Sequence, residues 1–326
     1  MKRAARQATL ERVNDSPNRD FSTSTAPPAA PLLRFCDVLD ELLADARAAN
    51  QARTSGQPRG PITGFATLDR ELSHALAPGL HSVQGNAGAG KTAFALQIAA
   101  SCRFPALYVT CEMAPAELLR RHTARATETY LGRLKSGELS VEAVETLTRR
   151  ALSGAPDMAL LDATRAPASP QRIYEAALVA KGERESVLVV VDSLQSWAEG
   201  LSEALGTGEY ETLNLAIKKL REVAHALKCP VMFISERNRE SNKDTKSDGL
   251  NAGAGTRKIE YGTETVFDLD RNMTETEDGA GEFEVTLRLP KNRHGSIGKR
   301  IPFQFNGALQ RFRESERGDK GSGSRR

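Results

Sequence analysis

A chain of 326 residues with 39% hydrophobic content can bury a full core, and its length allows one large or two ordinary domains. A net charge of +3 is too weak to establish a nucleic-acid partner from the whole-chain field, and an aromatic content of 5% leaves little material for a broad base-stacking platform. No run of about eighteen apolar residues occurs and the basic N-terminus lacks an apolar segment, which argues against a membrane span or secretory signal and predicts a cytoplasmic location.

Residues 1–34 are polar, basic and rich in Pro, Ala, Ser and Thr, which predicts a disordered leader, either solvated or touching DNA. Phe35, Val38, Leu39, Leu42, Leu43 and Ala46 recur at helical spacing and predict an amphipathic helix. A loop at Thr54-Ser55-Gly56-Gln57-Pro58 completes a linker over residues 35–59, whose apolar face must be covered by its own domain or by a neighbouring subunit. Cys36, Cys102, Cys111 and Cys229 are scattered without a C-x-x-C pair, which argues against a zinc knuckle or disulfide framework and predicts small core residues.

From residue 60 to residue 312 apolar strands alternate with helices. Strands are expected at Leu80 to Gln84, Ala106 to Thr110, Met158 to Asp162, Ser186 to Asp192 and Pro230 to Ser235. Helices are expected at Ala93 to Ala100, Pro115 to Thr127, Val141 to Ser153, Pro170 to Lys181 and Leu213 to Lys228. That rhythm predicts an α/β fold with a mostly parallel sheet flanked by helices. Short strands at Thr265 to Leu269, Glu282 to Leu289 and Arg300 to Phe305 predict an antiparallel C-terminal extension, and residues 313–326 read as a disordered tail.

Gly85-Asn86-Ala87-Gly88-Ala89-Gly90-Lys91-Thr92 fits the P-loop pattern G-x-x-x-x-G-K-[ST] between an expected strand and an expected helix. Its glycines let backbone N–H groups wrap phosphates, Lys91 would meet the β/γ-phosphates, and Thr92 would hold Mg2+ at a helix N-terminus that favours anions. Val187 to Asp192 supplies the second acidic element, a buried strand ending in a carboxylate that can orient Mg2+ or its waters. Glu112, just past the strand that ends at Thr110, is the candidate general base for an attacking water.

These segments together resemble a family, the RecA-like motor domain of hexameric replicative DNA helicases of the DnaB type. Pro61-Ile62-Thr63-Gly64-Phe65-Ala66-Thr67-Leu68-Asp69 is similar to the motif that opens that domain, and Gly90 to Leu96 to its Walker A helix. Glu112-Met113-Ala114-Pro115-Ala116-Glu117-Leu118 is similar to the segment whose first glutamate is catalytic. Ser136-Gly137-Glu138-Leu139-Ser140 is similar to the turn before the next helix, and Val191-Asp192-Ser193-Leu194-Gln195 to the Walker B element. The similarity runs from about Phe35 to Phe312. It implies a RecA-like P-loop NTPase fold, ATP and Mg2+ as ligands, a homo-oligomeric hexameric ring, and single-stranded DNA as the track.

Lys291-Asn292-Arg293-His294-Gly295 resembles the family's K-x-R finger, which implies that Lys291 and Arg293 reach the γ-phosphate held by the adjacent subunit, with Arg293 as the finger. An arginine so presented contributes several orders of magnitude in rate. Phe233 to Arg239 aligns with the strand-end sensor, where the family usually has glutamine and this chain has Glu236. A carboxylate beside a γ-phosphate is repelled unless protonated or engaged by a cation such as Arg237 or Arg239, which predicts altered sensing or weak hydrolysis. The loop that follows carries Arg237, Arg239, Lys243, Lys246, Arg257 and Lys258, diluted by Glu240, Asp244 and Asp248. In RecA-like rings this region faces the channel, so the resemblance implies sequence-tolerant, salt-dependent DNA contact there.

The Lys291 to Gly295 segment also resembles the K-N-R-F-G element of RadA/Sms. The alternative is therefore a RadA-, RecA- or KaiC-like repair or regulatory ATPase without unwinding activity, although the zinc-binding head and protease-like tail of RadA have no counterpart. A third reading is a nucleotide-gated scaffold whose turnover Glu236 has disabled. The leader is too short and polar to resemble the N-terminal collar of full-length replicative helicases, which leaves a primase or loader partner open.

Overall fold

The computed structural model describes residues 32–155, 157–205, 209–236, 262–271 and 281–315, the side chains of 202–205 and 209–210 excepted. The chain divides into two compact units, residues 1–44 and 45–326. In the first, a 3-10 turn over Phe35–Val38 is closed by reciprocal bonds between Arg34 and Asp37 and leads into helix α1, Leu39–Ser55. Phe35, Leu39, Leu42 and Leu43 are exposed, and so is Cys36, against the expectation that every cysteine is a core residue. Helix α1 also runs through Thr54 and Ser55, which composition assigns to a loop, because Thr54 Oγ1 bonds back to the carbonyls of Asn50 and Gln51 and keeps the last turn closed.

The second unit is built on a nine-stranded sheet of order β3-β2-β4-β5-β1-β6-β7-β8-β9. The strands are β1 (Gly79–Gly85), β2 (Ala106–Thr110), β3 (Met158–Asp162), β4 (Leu188–Asp192), β5 (Pro230–Ile234), β6 (Thr265–Arg271), β7 (Glu282–Asn292), β8 (Lys299–Asn306) and β9 (Arg311–Glu314). Pairings from β3 to β6 are parallel and those from β6 to β9 antiparallel, as the change of pattern after Tyr261 predicts. The helices after α1 are α2 (Ala66–Glu71), α3 (Lys91–Ser101), α4 (Pro115–Thr127), α5 (Val141–Ser153), α6 (Pro170–Lys181), α7 (Leu194–Leu205) and α8 (Glu209–Leu227). Among the described residues no helix is long and apolar enough to cross a membrane.

The central strands read as continuous apolar runs because both faces are covered, and the period of two still sorts their side chains. In β4, Leu188 and Val190 join the core that contains Phe94, Ile98, Phe267 and Phe303, whereas Val189 and Val191 join the core that contains Ile173, Trp197, Leu220 and Leu227. Helix α3 thus lies on one face and α6, α7 and α8 on the other. Trp197, buried in the second core, satisfies its indole N–H on the Ala168 carbonyl at 2.7 Å.

Three elements lie outside the expected set. Helix α7 follows directly on the Walker B strand, α2 is a single short helix, and β9 continues through Arg313 and Glu314, which composition assigns to the tail. The last is tied into the fold by both ends. Glu314 accepts the Thr67 and Leu68 N–H groups at the start of α2, and Phe312 stacks on Phe305 at 4.3 Å and edges Phe94 at 5.3 Å.

Candidate active site

The turn from β1 into α3 is the phosphate loop, and its last glycine is irreplaceable in this packing. Gly90 has φ +87°, and a Cβ there would come within 2.8 Å of Phe312 Cζ. The first helical bond, from Phe94 N–H to the Gly90 carbonyl at 2.9 Å, leaves the preceding amides of the loop available to an anion at a helix N-terminus. Lys91 Nζ donates to the carbonyls of Gly85 at 2.9 Å and Asn86 at 3.2 Å, so the ammonium lies back over the loop where phosphates would rest.

Asp192 ends β4 beside Thr110 of β2 and is 6% exposed. Burial raises its pKa; hydrogen bonds from Tyr108 and Thr92 and the charge of Lys91 pull the other way, while Glu112 adds to the rise. Tyr108 Oη donates to Asp192 Oδ2 at 2.7 Å, which fixes the carboxylate's rotamer from inside the sheet. The Asp192–Ser193 peptide is cis. Glu112, exposed at the end of β2, accepts from Ser193 Oγ and, at 2.7 Å, from Ser196 Oγ at the start of α7. Lys91, Thr92, Asp192 and Glu112 therefore gather at the carboxyl ends of β1, β2 and β4, where open α/β sheets bind ligands. Thr92 and Asp192 offer the hard oxygens that suit Mg2+, which takes few protein ligands and completes its shell with phosphate and water. Among the described residues no group of three or more His, Cys, Asp or Glu forms a self-sufficient metal cage.

Several neighbours carry no motif and escape a reading of the sequence. Ser193 and Ser196 aim Glu112, and only their proximity to the Walker B aspartate could have flagged them. Arg121 of α4 bonds Gln310 at 2.8 Å, and its charge reaches Tyr108. Arg271, the last residue of β6, lies 3.5 Å over the Phe283 ring and donates to the Gly88 carbonyl at 3.4 Å, placing a guanidinium against the phosphate loop. Gln195 donates to Ser235 Oγ at 2.9 Å at the end of β5, next to Glu236, which is exposed at the same edge of the sheet.

Lys291 and Arg293 do not join this group. The register pairs Gly85 with Leu269 at one end of β6 and Thr265 with Asn292 at the other. The finger segment thus lies at the amino ends of the parallel strands, roughly 13 Å of strand away from the phosphate loop of its own chain. There Arg293 is ion-paired with Glu264 at 3.0 Å. Arg237, Arg239, Lys243, Lys246, Arg257 and Lys258 lie outside the described residues.

Comparison with known proteins bears on this arrangement. The family model described as DnaB-like helicase C terminal domain matches residues 60–314. The "Replicative DNA helicase DnaB" of Nostoc sp. (strain PCC 7120 / SAG 25.82 / UTEX 2576) is 28% identical over 233 residues, covering 70% of this chain and 26% of the relative. The chain therefore matches about a quarter of that relative's length. Among solved structures, one of an isolated ATPase domain superposes with a TM-score of 0.67 at 18% identity over 84% of this chain and 97% of that one. "The Structure Of A DnaB-Like Replicative Helicase And Its Interactions With Primase" gives 0.65 at 18% identity over 94% and 70%. At that identity the likeness is one of fold, the RecA-like α/β sheet.

Proposed function

Because this chain belongs to the DnaB-like helicase C-terminal domain family, we propose that it is an ATP-driven motor that hydrolyses Mg2+-ATP between subunits of a hexameric ring and moves along single-stranded DNA as a replicative-type helicase. The observation that carries this reading is the division of the catalytic set between the two ends of one sheet, the cradle at the carboxyl ends and the finger at the amino ends. One chain cannot close the site on itself; a second copy, presenting its Arg293 to the first one's phosphate loop, can.

In this reading the loop amides, Lys91 and Arg271 hold the triphosphate, and Thr92 and Asp192 hold Mg2+, which neutralises charge on the β- and γ-oxygens. Glu112, steadied by Ser193 and Ser196, takes the proton of the attacking water. Arg293 and Lys291 from the adjacent subunit stabilise charge on the departing γ-phosphoryl group, so turnover waits on assembly. The basic residues between Arg237 and Lys258 contact the DNA backbone. The family match favours this motor over a repair-type ATPase that does not unwind.

The test is an ATPase and strand-displacement assay on a forked duplex, beside a size measurement with and without Mg2+-ATP. We expect an oligomer, DNA-stimulated hydrolysis and unwinding. Lys91→Ala should lose nucleotide binding and turnover, while Arg293→Ala should keep binding and lose turnover. A chain that remains single while hydrolysing ATP at full rate would refute the shared site.

A further inference from the structure

Glu264, the residue before β6, is held by both of its backbone groups. Its N–H donates to the Leu80 carbonyl at 2.6 Å and its carbonyl accepts the Arg293 N–H at 3.0 Å. The side chain is confined as well. Its stem crosses β1 at Gly79, where φ is +130° and a Cβ would come within 2.6 Å of Glu264 Cγ, so the passage exists only because residue 79 has no side chain. From that passage Oε1 accepts Arg293 Nη1 at 3.0 Å, and Oε2 lies 3.0 Å from His294 Nε2.

The turn that presents Arg293 is anchored independently. Asn292 Nδ2 donates to the Glu71 carbonyl at 2.8 Å and Ser73 Oγ to the His294 carbonyl at 2.7 Å, both at the end of α2. The main chain of the finger is therefore fixed whether or not Glu264 has a carboxylate. What the carboxylate adds is control of the guanidinium. Arg293 is 53% exposed and Glu264 21%, so the pair is solvent-screened and easily exchanged for a more strongly charged partner.

We propose that Glu264 is the positioning residue for the Arg293 finger: it holds the guanidinium at the subunit edge in a reach-competent rotamer and yields it to the triphosphate of the adjacent subunit. This rests on the reading of Arg293 as a finger acting in trans. A free arginine side chain samples many rotamers, and each turnover would have to wait for the one that reaches across; a carboxylate braced on its second oxygen by His294 removes that search. Because the bond is made in the ground state and given up in the transition state, its loss should lower kcat and leave nucleotide affinity alone.

The experiment uses the full chain carrying Glu264→Ala or Glu264→Gln, assayed alone and in mixed rings. We expect kcat to fall about tenfold for Ala, with a smaller fall for Gln, and KM for ATP to stay unchanged. Mixing either variant with Lys91→Ala should restore activity, because the Lys91→Ala chain brings an intact Glu264-Arg293 pair to the variant's sound cradle. Mixing with Arg293→Ala should restore none. Should Glu264→Ala fail to fold, Glu264→Gln, which keeps the stem over Gly79, carries the test. Unchanged or raised turnover, or a defect that Lys91→Ala chains do not rescue, overturns the positioning role while leaving the finger intact. Failure of Lys91→Ala and Arg293→Ala to complement each other overturns both.

Discussion

The phenol of Tyr108 is buried against Asp192, and burial together with that carboxylate holds its ionisation well above the usual tyrosine range. It therefore remains a donor at any working pH, and the proton it offers favours the ionised form of an aspartate whose own pKa burial raises. Tyr108→Phe removes that bond without changing the shape of the core. We expect the Mg2+ concentration needed for half-maximal ATPase to rise several-fold, more at pH 6 than at pH 8, because a harder-to-ionise Asp192 is a poorer ligand. Superimposable Mg2+ curves for variant and parent would show that the phenol has no part in the metal site. His81 is a second buried titratable group, completely desolvated, with Nε2 2.8 Å from the Ala77 carbonyl and Nδ1 without a partner. Burial lowers its pKa from 6.5 to about 4. The unfolded chain then binds the proton more readily, so the stability His81 protects is complete above pH 6.5 and is lost as pH falls toward 4, about 2 kcal/mol of it by pH 5. Urea unfolding of His81→Gln at pH 7 and pH 5 should show a shallower loss than the parent; an equal loss would assign the acid sensitivity elsewhere.

At the scale of the element, the link between α3 and β9 joins the phosphate loop to the antiparallel edge. Gln97 reaches from the middle of α3 to both backbone groups of Phe312, accepting its N–H at 2.9 Å and donating to its carbonyl at 3.0 Å, in the manner of one more strand. Phe312 in turn packs beneath Gly90. Gln97→Ala leaves two backbone groups unpaired, which should cost roughly 2 kcal/mol in urea unfolding and weaken ATP binding through the loosened floor of the loop. Stability within experimental error of the parent would mean that water replaces the amide. This link also shows what a sequence does and does not reveal. β4 is legible because Val187 to Val191 is an unbroken β-branched and Leu run ending in Asp, and α4 is legible because Pro115 opens an amphipathic stretch. β9 has only four residues and carries one apolar anchor, Phe312; its strand character comes from β8 and Gln97. Helix α7 is hidden because the eye stops at the Walker B aspartate. Glu264 and Arg271 become site residues only through the register of β6 on β1, a long-range pairing that leaves no local periodicity.

At the scale of the molecule, the sheet itself separates cradle from finger, and that has a countable consequence. Lys91, Thr92, Asp192 and Glu112 stand at one end of the parallel strands and Arg293 at the other, so every productive site takes its two halves from different chains. In an equal, randomly assembled mixture of Lys91→Ala and Arg293→Ala chains, an interface is competent only when the intact cradle of an Arg293→Ala chain meets the intact finger of a Lys91→Ala chain. About one interface in four meets that condition in a head-to-tail ring. If each site fires independently, the mixture should regain about a quarter of the parental ATPase, and recovery should follow the product of the two fractions as the ratio is varied. If sites fire only in sequence around the ring, recovery should fall well below that product while keeping its maximum at the equal mixture. Activity that instead tracks the fraction of either variant linearly would mean that a single chain completes its own site, which the geometry of β6 and β7 opposes.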